Sequence, residues 1–234
     1  MRRLNVLVAC EESQAVCKAF RELGHEAYSC DLQECSGGHP EWHIHADVVP
    51  FLNFFSMTFT TQDGLWHWVF KWDLIIAHPP CTYLSNAGAR WLYQGGMLNE
   101  QRYENGLNAK RFFMQFMRAD CAHVAIENPI PSRIYELPKY DQTIEPYMFG
   151  DPYSKRTCLW LKGLPPLQPT NEIDRHIPYC SSGSYSRTHD PKYKGVSRSG
   201  GAAKIRSKTF PGIADAMAKQ WSEYILRTDY GEIR

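Results

Sequence analysis

Cys81 and Glu127 are the two side chains whose types and positions invite chemistry. Cys81 follows an apolar run and two prolines in DLIIAHPPCTYLS (73–85). A cysteine kept for packing belongs inside such a run, as a small hydrophobe. One set just past it, in a loop stiffened by Pro79 and Pro80, is placed to react, because the thiolate is a strong nucleophile. Glu127 ends a second apolar run in HVAIENP (123–129), with Asn128 and Pro129 behind it. Glu11, Glu12 and Ser13 follow LNVLVAC (4–10), and Asp31 closes EAYSCDL (26–32). An acid about twenty residues past the first turn is spaced to hydrogen-bond the ribose of a nucleoside cofactor.

These positions share one property: each falls at the end of an expected strand. LNVLVAC and EAYSCDL read as strands, separated by EESQAVCKAFRELGH. There Ala15, Ala19, Phe20 and Leu23 fall at helical spacing, with Ser13 as the expected N-cap and Gly24 as the stop. Strand, helix and strand within about thirty residues form the unit of parallel sheets. HIHADVVPF (43–51) reads as a third strand end carrying Asp47, and DLIIA (73–77), HVAIENP and RTCLWLKG (156–163) as further strands. GLWHWVFKW (64–72) reads as a short helix, and 78–99 as a long loop. ENGLNAKRFFMQFMRA (104–119) and PGIADAMAKQWSEYILR (211–227) read as longer helices, the latter opened by proline in its first turn. Ligands of open parallel sheets lie beyond the carboxyl ends of the strands, where all these polar groups gather.

Composition narrows the function classes. The chain has 234 residues, 43% of them hydrophobic and 22% charged, which fits a globular α/β domain. With 26 Lys and Arg against 25 Asp and Glu, any contact with nucleic acid must come from local clustering. Such a cluster exists: from Asp174 to Lys208 there are eight Lys or Arg and two acids. Eight cysteines without a C-x-x-C pair, no signal-peptide pattern and no run of about 18 apolar residues predict a soluble cytoplasmic protein with free thiols. His176, Cys180 and His189 do not make a zinc pattern, and no metal is expected. The expected organisation is a core over 1–163, a basic irregular insert over 164–208, and a closing helix over 209–234 that packs back on the core.

The ordered set HPPCTYLS, AIENP and FGDPYSKRTCLWLKG resembles the DNA (cytosine-5) methyltransferases, over about residues 4 to 222. SKTFPGIADAMAKQW (207–221) fits that family's compact, often bacteriophage-borne branch, which lacks a large target-recognition domain. The resemblance implies a Rossmann-like α/β fold dependent on S-adenosyl-L-methionine, with a mostly parallel central sheet. It implies that Cys81 attacks C6 of cytosine, which places electron density on C5, and that Glu127 steadies the charge at N3. Glu127 would serve best if partly buried and protonated, or sharing a proton with the base. The base must leave the duplex to be reached. Cofactor contacts are implied for Cys10, Glu11, Glu12, Ser13, Asp31, Asp47 and Pro79, with Asp47 meeting the adenine amino group. DNA contacts are implied for Pro80, Asn128, Lys155, Arg156, Arg187, Lys204 and Arg206.

The chain departs from the family pattern in three places. ACEESQ (9–14) holds no glycine where the family has Phe-x-Gly-x-Gly. Tyr153 replaces a glutamine, and Lys155 and Thr157 replace two arginines, although Arg156 stands between them. The recognition region is about forty-five residues long, which predicts specificity for only one or two bases around the target. Alternatives stay open: C5 methylation of RNA or a free cytidine nucleotide, methylation of an exocyclic amino group, or a non-catalytic nucleic-acid-binding protein on a decayed methyltransferase fold.

Overall fold

The computed structural model describes residues 2–89, 91–174, 176–179 and 208–231. In chain order it begins with β1 (Asn5–Ala9), α1 (Ala15–Glu22), β2 (Glu26–Asp31), β3 (His43–His45), β4 (Met57–Thr60), β5 (Trp66–Val69) and β6 (Leu74–Ala77). Then come α2 (Asn86–Ala89), β7 (Tyr93–Gln94), β8 (Met97–Leu98), α3 (Glu100–Met117) and β9 (Val124–Pro129). The remainder is β10 (Gln142–Ile144), β11 (Tyr153–Ser154), β12 (Thr157–Lys162), β13 (Ile177–Pro178) and α4 (Pro211–Tyr230).

Seven strands form one sheet in the order β10-β12-β9-β6-β1-β2-β3. All neighbours are parallel except β12, which runs antiparallel to both β9 and β10. The Rossmann-like α/β architecture expected from the sequence is therefore present, as a mostly parallel sheet with helices on both faces. The sequence order of the strands reverses across the sheet between β1 and β6, which remain parallel. That is the switch point at which such sheets open a crevice for ligands.

Continuous apolar runs form these strands because both faces are covered. Side chains alternate between two cores. Val6 and Val8 of β1 pack with Phe20 of α1 and with Met217, Trp221 and Ile225 of α4. Leu7 and Ala9 face Phe113 and Phe116 of α3, together with Trp160 of β12. Trp221 is fully buried, and truncating a side chain of that size costs about 3–5 kcal/mol. Gly106 lets α3 lie against Tyr135, whose ring would collide with any Cβ there.

Three local expectations need correction. GLWHWVFKW is no helix: β5 pairs antiparallel with β4 in a hairpin whose turn includes Asp63-Gly64, with Gly64 at φ 86°. Its side chains alternate, Trp66 and Trp68 outward and Val69 inward, which is the period of a strand. Ser13 does not cap α1; the N-cap is Gln14, in a left-handed conformation and without a side-chain cap bond. The 78–99 loop contains α2 and the β7–β8 hairpin, turned by Gly95 and Gly96 at φ 58° and 82°. Gly24 does stop α1, at φ 83° with its N–H donating to Arg21 O. Among the described residues no helix is long and apolar enough to cross a membrane.

Candidate active site

The loops after β1, β6 and β9 meet at the carboxyl edge of the sheet because those three strands are neighbours. On the β1 side the chain turns sharply without glycine. Cys10 and Gln14 take left-handed conformations (φ 59° and 58°), which non-glycine residues adopt at a cost of about 1–2 kcal/mol. The close backbone approach comes from the opposing segment instead. A Cβ on Gly37 would sit 2.5 Å from the Ser13 carbonyl oxygen, so only glycine fits. Gln14 locks that segment in place, accepting from His39 N (3.1 Å) and donating to His39 O (2.8 Å). Ser36 donates both its hydroxyl and its backbone N–H to Glu12.

Glu11, expected to meet a cofactor, has its carboxylate committed to the fold. Its two oxygens accept from Val16 N (2.7 Å) and Cys17 N (3.1 Å), satisfying the first turn of α1. Glu11 is thus the side-chain cap that Ser13 was expected to be. Burial pushes its carboxyl above the ordinary range, against the opposing pull of His78, the two N–H groups and Lys18.

Asp31 and Asp47 are built alike. Each Oδ1 accepts from the backbone N–H two residues on, Gln33 at 2.9 Å and Val49 at 3.0 Å, which fixes the carboxylate and leaves Oδ2 to a ligand. Both bear on Cys10: burial first, then Asp31 and Asp47, push its thiol up to about 12. Cys10 is therefore a neutral thiol between two carboxylates. Two such acids beyond β2 and β3, beside a sharp turn after β1, suit the hydroxyls and amino group of a nucleoside.

On the β6 side the ladder with β9 places Ala77 opposite Ile126, so His78, just past the end of β6, comes beside Glu127, still within β9. His78 is anchored by its backbone N–H to Ala9 O at 2.9 Å. Its Nδ1 lies 3.1 Å from Glu127 Oε2, with 8% and 14% of the two side chains exposed. Burial pulls the Glu127 carboxyl up. The His78 hydrogen bond and charge, the Lys155 charge and the Thr157 hydroxyl outweigh it, and the carboxyl is held below its ordinary value. Of the two states in which Glu127 would serve, protonated or sharing a proton with the base, neither is favoured by His78, which draws the carboxyl toward its ionised form.

One residue on, buried Asn128 donates Nδ2 to the Pro79 carbonyl at 2.8 Å and pins the loop that carries Cys81. Asn128, expected at the substrate, thus reaches the loop first. Cys81 is half-buried, and its carbonyl accepts from Ser85 N at 3.1 Å. Arg102 of α3 donates to the carbonyls of Thr82 and Gly88, tying the same loop from its far side. Two buried polar atoms here, His78 Nε2 and Asn128 Oδ1, have no partner among the described residues. Orphaned polar atoms in a buried site mark groups awaiting a ligand.

The Phe149–Thr157 segment lies on the β12 side. Tyr153, which replaces a glutamine of the family pattern, packs against Tyr179 and Phe210 at 5.2 and 5.6 Å. Lys155 extends its ammonium over the Phe210 ring at 5.7 Å while its charge still reaches Glu127. Arg156 points outward to Glu145 at 3.3 Å, so its guanidinium does not take the inward place of the missing arginines. Pro79 is buried and Pro80 exposed beside Cys81. Arg187, Lys204 and Arg206 lie outside the described residues. No group of three metal-ligating side chains occurs among the described residues.

Sequence reasoning gave His78 no role, although it stands in the quoted HPPC. Its position directly after an apolar run, like that of Glu127, was the available signal. No protein-family model matches the chain, and comparison with curated proteins finds no relative. Among solved structures it is similar to a methyltransferase of Entamoeba histolytica, EhMeth, at 15% identity and a TM-score of 0.40. The match covers 78% of this chain and 61% of that one, so the chain spans under two thirds of that protein's length.

Proposed function

We propose that the protein is an S-adenosyl-L-methionine-dependent methyltransferase that methylates C5 of cytosine in DNA, with specificity for a short sequence. The observation that carries this reading is the pairing of two strand ends. Cys81 is held in a loop that Asn128 pins, and the adjacent strand end presents the buried Glu127, on the open side of the switch point. Neither a thiol nor an inward carboxyl is needed to methylate an exocyclic amino group, which requires no covalent step.

The residues present fit the cofactor. Asp31 and Asp47 each offer one carboxylate oxygen, and the glycine-free turn at Cys10 is accommodated by Gly37 across from it. When bound, the cofactor supplies an electrophilic methyl group. The chain's own part is to make cytosine C5 nucleophilic. Cys81 gives its thiol proton to water, the thiolate sulfur bonds to C6, the C5=C6 electron pair moves onto C5, and Glu127 passes a proton to N3 so that the ring does not carry the full negative charge. After methylation, water takes the C5 proton, that bond's pair restores the C5=C6 double bond, N3 returns its proton to Glu127, and Cys81 leaves as the thiolate. The proline-stiffened loop supports the fixed approach that such an attack requires. The basic residues of the 174–208 region would meet phosphates, giving binding that weakens steeply with salt.

The test is transfer of labelled methyl from S-adenosyl-L-methionine to duplex DNA, tRNA and dCMP. Label at C5 of DNA cytosine supports the proposal, and label on tRNA or dCMP alone replaces the substrate. Label on an amino nitrogen, or on none of the three, overturns it.

A further inference from the structure

We propose that His78 is a positioning residue for Glu127, holding Oε2 through Nδ1–H so that the other oxygen serves the target base. This rests on the functional reading above. A carboxylate only accepts hydrogen bonds, so the 3.1 Å contact assigns the proton to Nδ1 of His78. The imidazole cannot drift, because its backbone is tied to Ala9 and its ring is 92% buried, from 8% exposure.

The charged and titratable groups bearing on the pair come from every neighbouring element. Glu11 lies on the β1 side, while Lys155, Thr157 and the Cys158 thiol lie on the β12 side. Among the described residues, His78 is the imidazole whose charge bears on both Glu11 and Glu127. Glu11 already has both oxygens filled by α1, which leaves the histidine's donor for Glu127.

The chemistry needs such a partner. When a cytosine enters, Glu127 takes a proton from solvent on Oε1. As the Cys81 sulfur bonds to C6, the Oε1–H bond breaks and N3–H forms, and the pair that held that proton stays on the carboxylate. Nδ1–H of His78 steadies the carboxylate so produced. A donor here makes Glu127 a stronger acid and fixes its rotamer, at the cost of holding it ionised when no base is present. Nε2 of His78 stays buried beside the same crevice.

The test combines a carboxyl titration of Glu127, followed by carbon-13 NMR in the free protein, with kinetics of methyl transfer. His78→Leu removes the donor; His78→Asn places an amide N–H where Nδ1 stood but carries no charge. The proposal expects Glu127 to titrate roughly 1–3 pH units higher in His78→Leu and closer to wild type in His78→Asn, which keeps a donor. It expects kcat to fall roughly 10–100-fold in His78→Leu with KM for DNA unchanged, and His78→Asn to recover most of that loss. Should His78→Leu not fold, His78→Ala, which also lacks the donor, takes its place. An unshifted Glu127 titration in the donor-less variant overturns the proposal, as does an equal loss of kcat in that variant and in His78→Asn. A wild type that titrates as expected but transfers no methyl to any cytosine removes the functional reading and leaves the pairing standing.

Discussion

Glu11 is a buried glutamate just past β1 and Glu127 a partly buried one near the end of β9; His78 bears electrostatically on both, and their environments drive them in opposite directions. Glu11 sits on the β1 side with each oxygen bonded to a backbone N–H of α1, and burial raises its proton affinity. Glu127 sits on the β9 side with the His78 imidazole as its close partner, and its proton affinity is lowered. The first is consumed by the fold: its two oxygens satisfy two of the N–H groups that a helix N-terminus leaves unpaired. The second is surrounded by unfinished valences, at His78 Nε2 and Asn128 Oδ1. Two carboxyls pushed apart by their surroundings are the usual mark of divided roles, here one structural and, in the proposed reaction, one chemical.

This contrast breaks if the two glutamates respond alike to mutation. The largest effect is expected for Glu127→Gln, which should lower methyl transfer on the order of 10²–10⁴-fold while leaving the thermal midpoint close to wild type, read by a transfer assay alongside calorimetry. Glu11→Ala should do the reverse. Losing two charge-assisted bonds to the α1 terminus should destabilise the fold by about 1–3 kcal/mol in urea unfolding, with most activity per folded molecule retained. A Glu11→Ala protein that is stable but inactive would move Glu11 into the site. Asp31→Asn should weaken cofactor binding roughly tenfold by calorimetric titration and leave stability unchanged, because its Oδ1 contact to Gln33 survives as an amide oxygen.

The smallest effect sharpens the contrast by its sign. Glu127 is held below its unfolded value of about 4.3, so its pairing stabilises the fold above that pH and is lost as pH falls through the folded value. Glu11 is held above its unfolded value. Its contribution is present below that value and is lost as pH rises through the folded one. Urea midpoints from about pH 3 to pH 8 should therefore fall less steeply on the acid side in Glu127→Gln than in wild type. Glu11→Gln should change the slope in the opposite sense.

The sheet was legible because its strands are buried on both faces and so appear as uninterrupted apolar runs; LNVLVAC and DLIIA pair directly as β1 and β6. Cys81 and Glu127 stood out for the related reason that a polar residue after such a run must lie at a strand mouth. What was missed depended on contacts that no local window contains. His78 and Glu127 are 49 residues apart and meet only because β6 and β9 are neighbours. Glu11 caps α1 from outside the helix, where local spacing favoured Ser13. The glycine-free turn ACEESQ packs directly on Gly37, a close contact that no local window shows. The β5 strand was hidden by its aromatic density, though the alternation of Trp66 and Trp68 with His67 and Val69 carried the period of a strand.

Covalent trapping tests the central claim most directly. Duplex DNA carrying 5-fluorocytosine at candidate sites, incubated with the protein and S-adenosyl-L-methionine, offers no C5 proton to remove, so the adduct cannot resolve. The account predicts an intact mass of protein plus one oligonucleotide plus one methyl group, a crosslink on the peptide containing Cys81, and no adduct from Cys81→Ala. An adduct that persists in Cys81→Ala, or methylation of ordinary cytosine without any trapped species from its fluorinated counterpart, would contradict it.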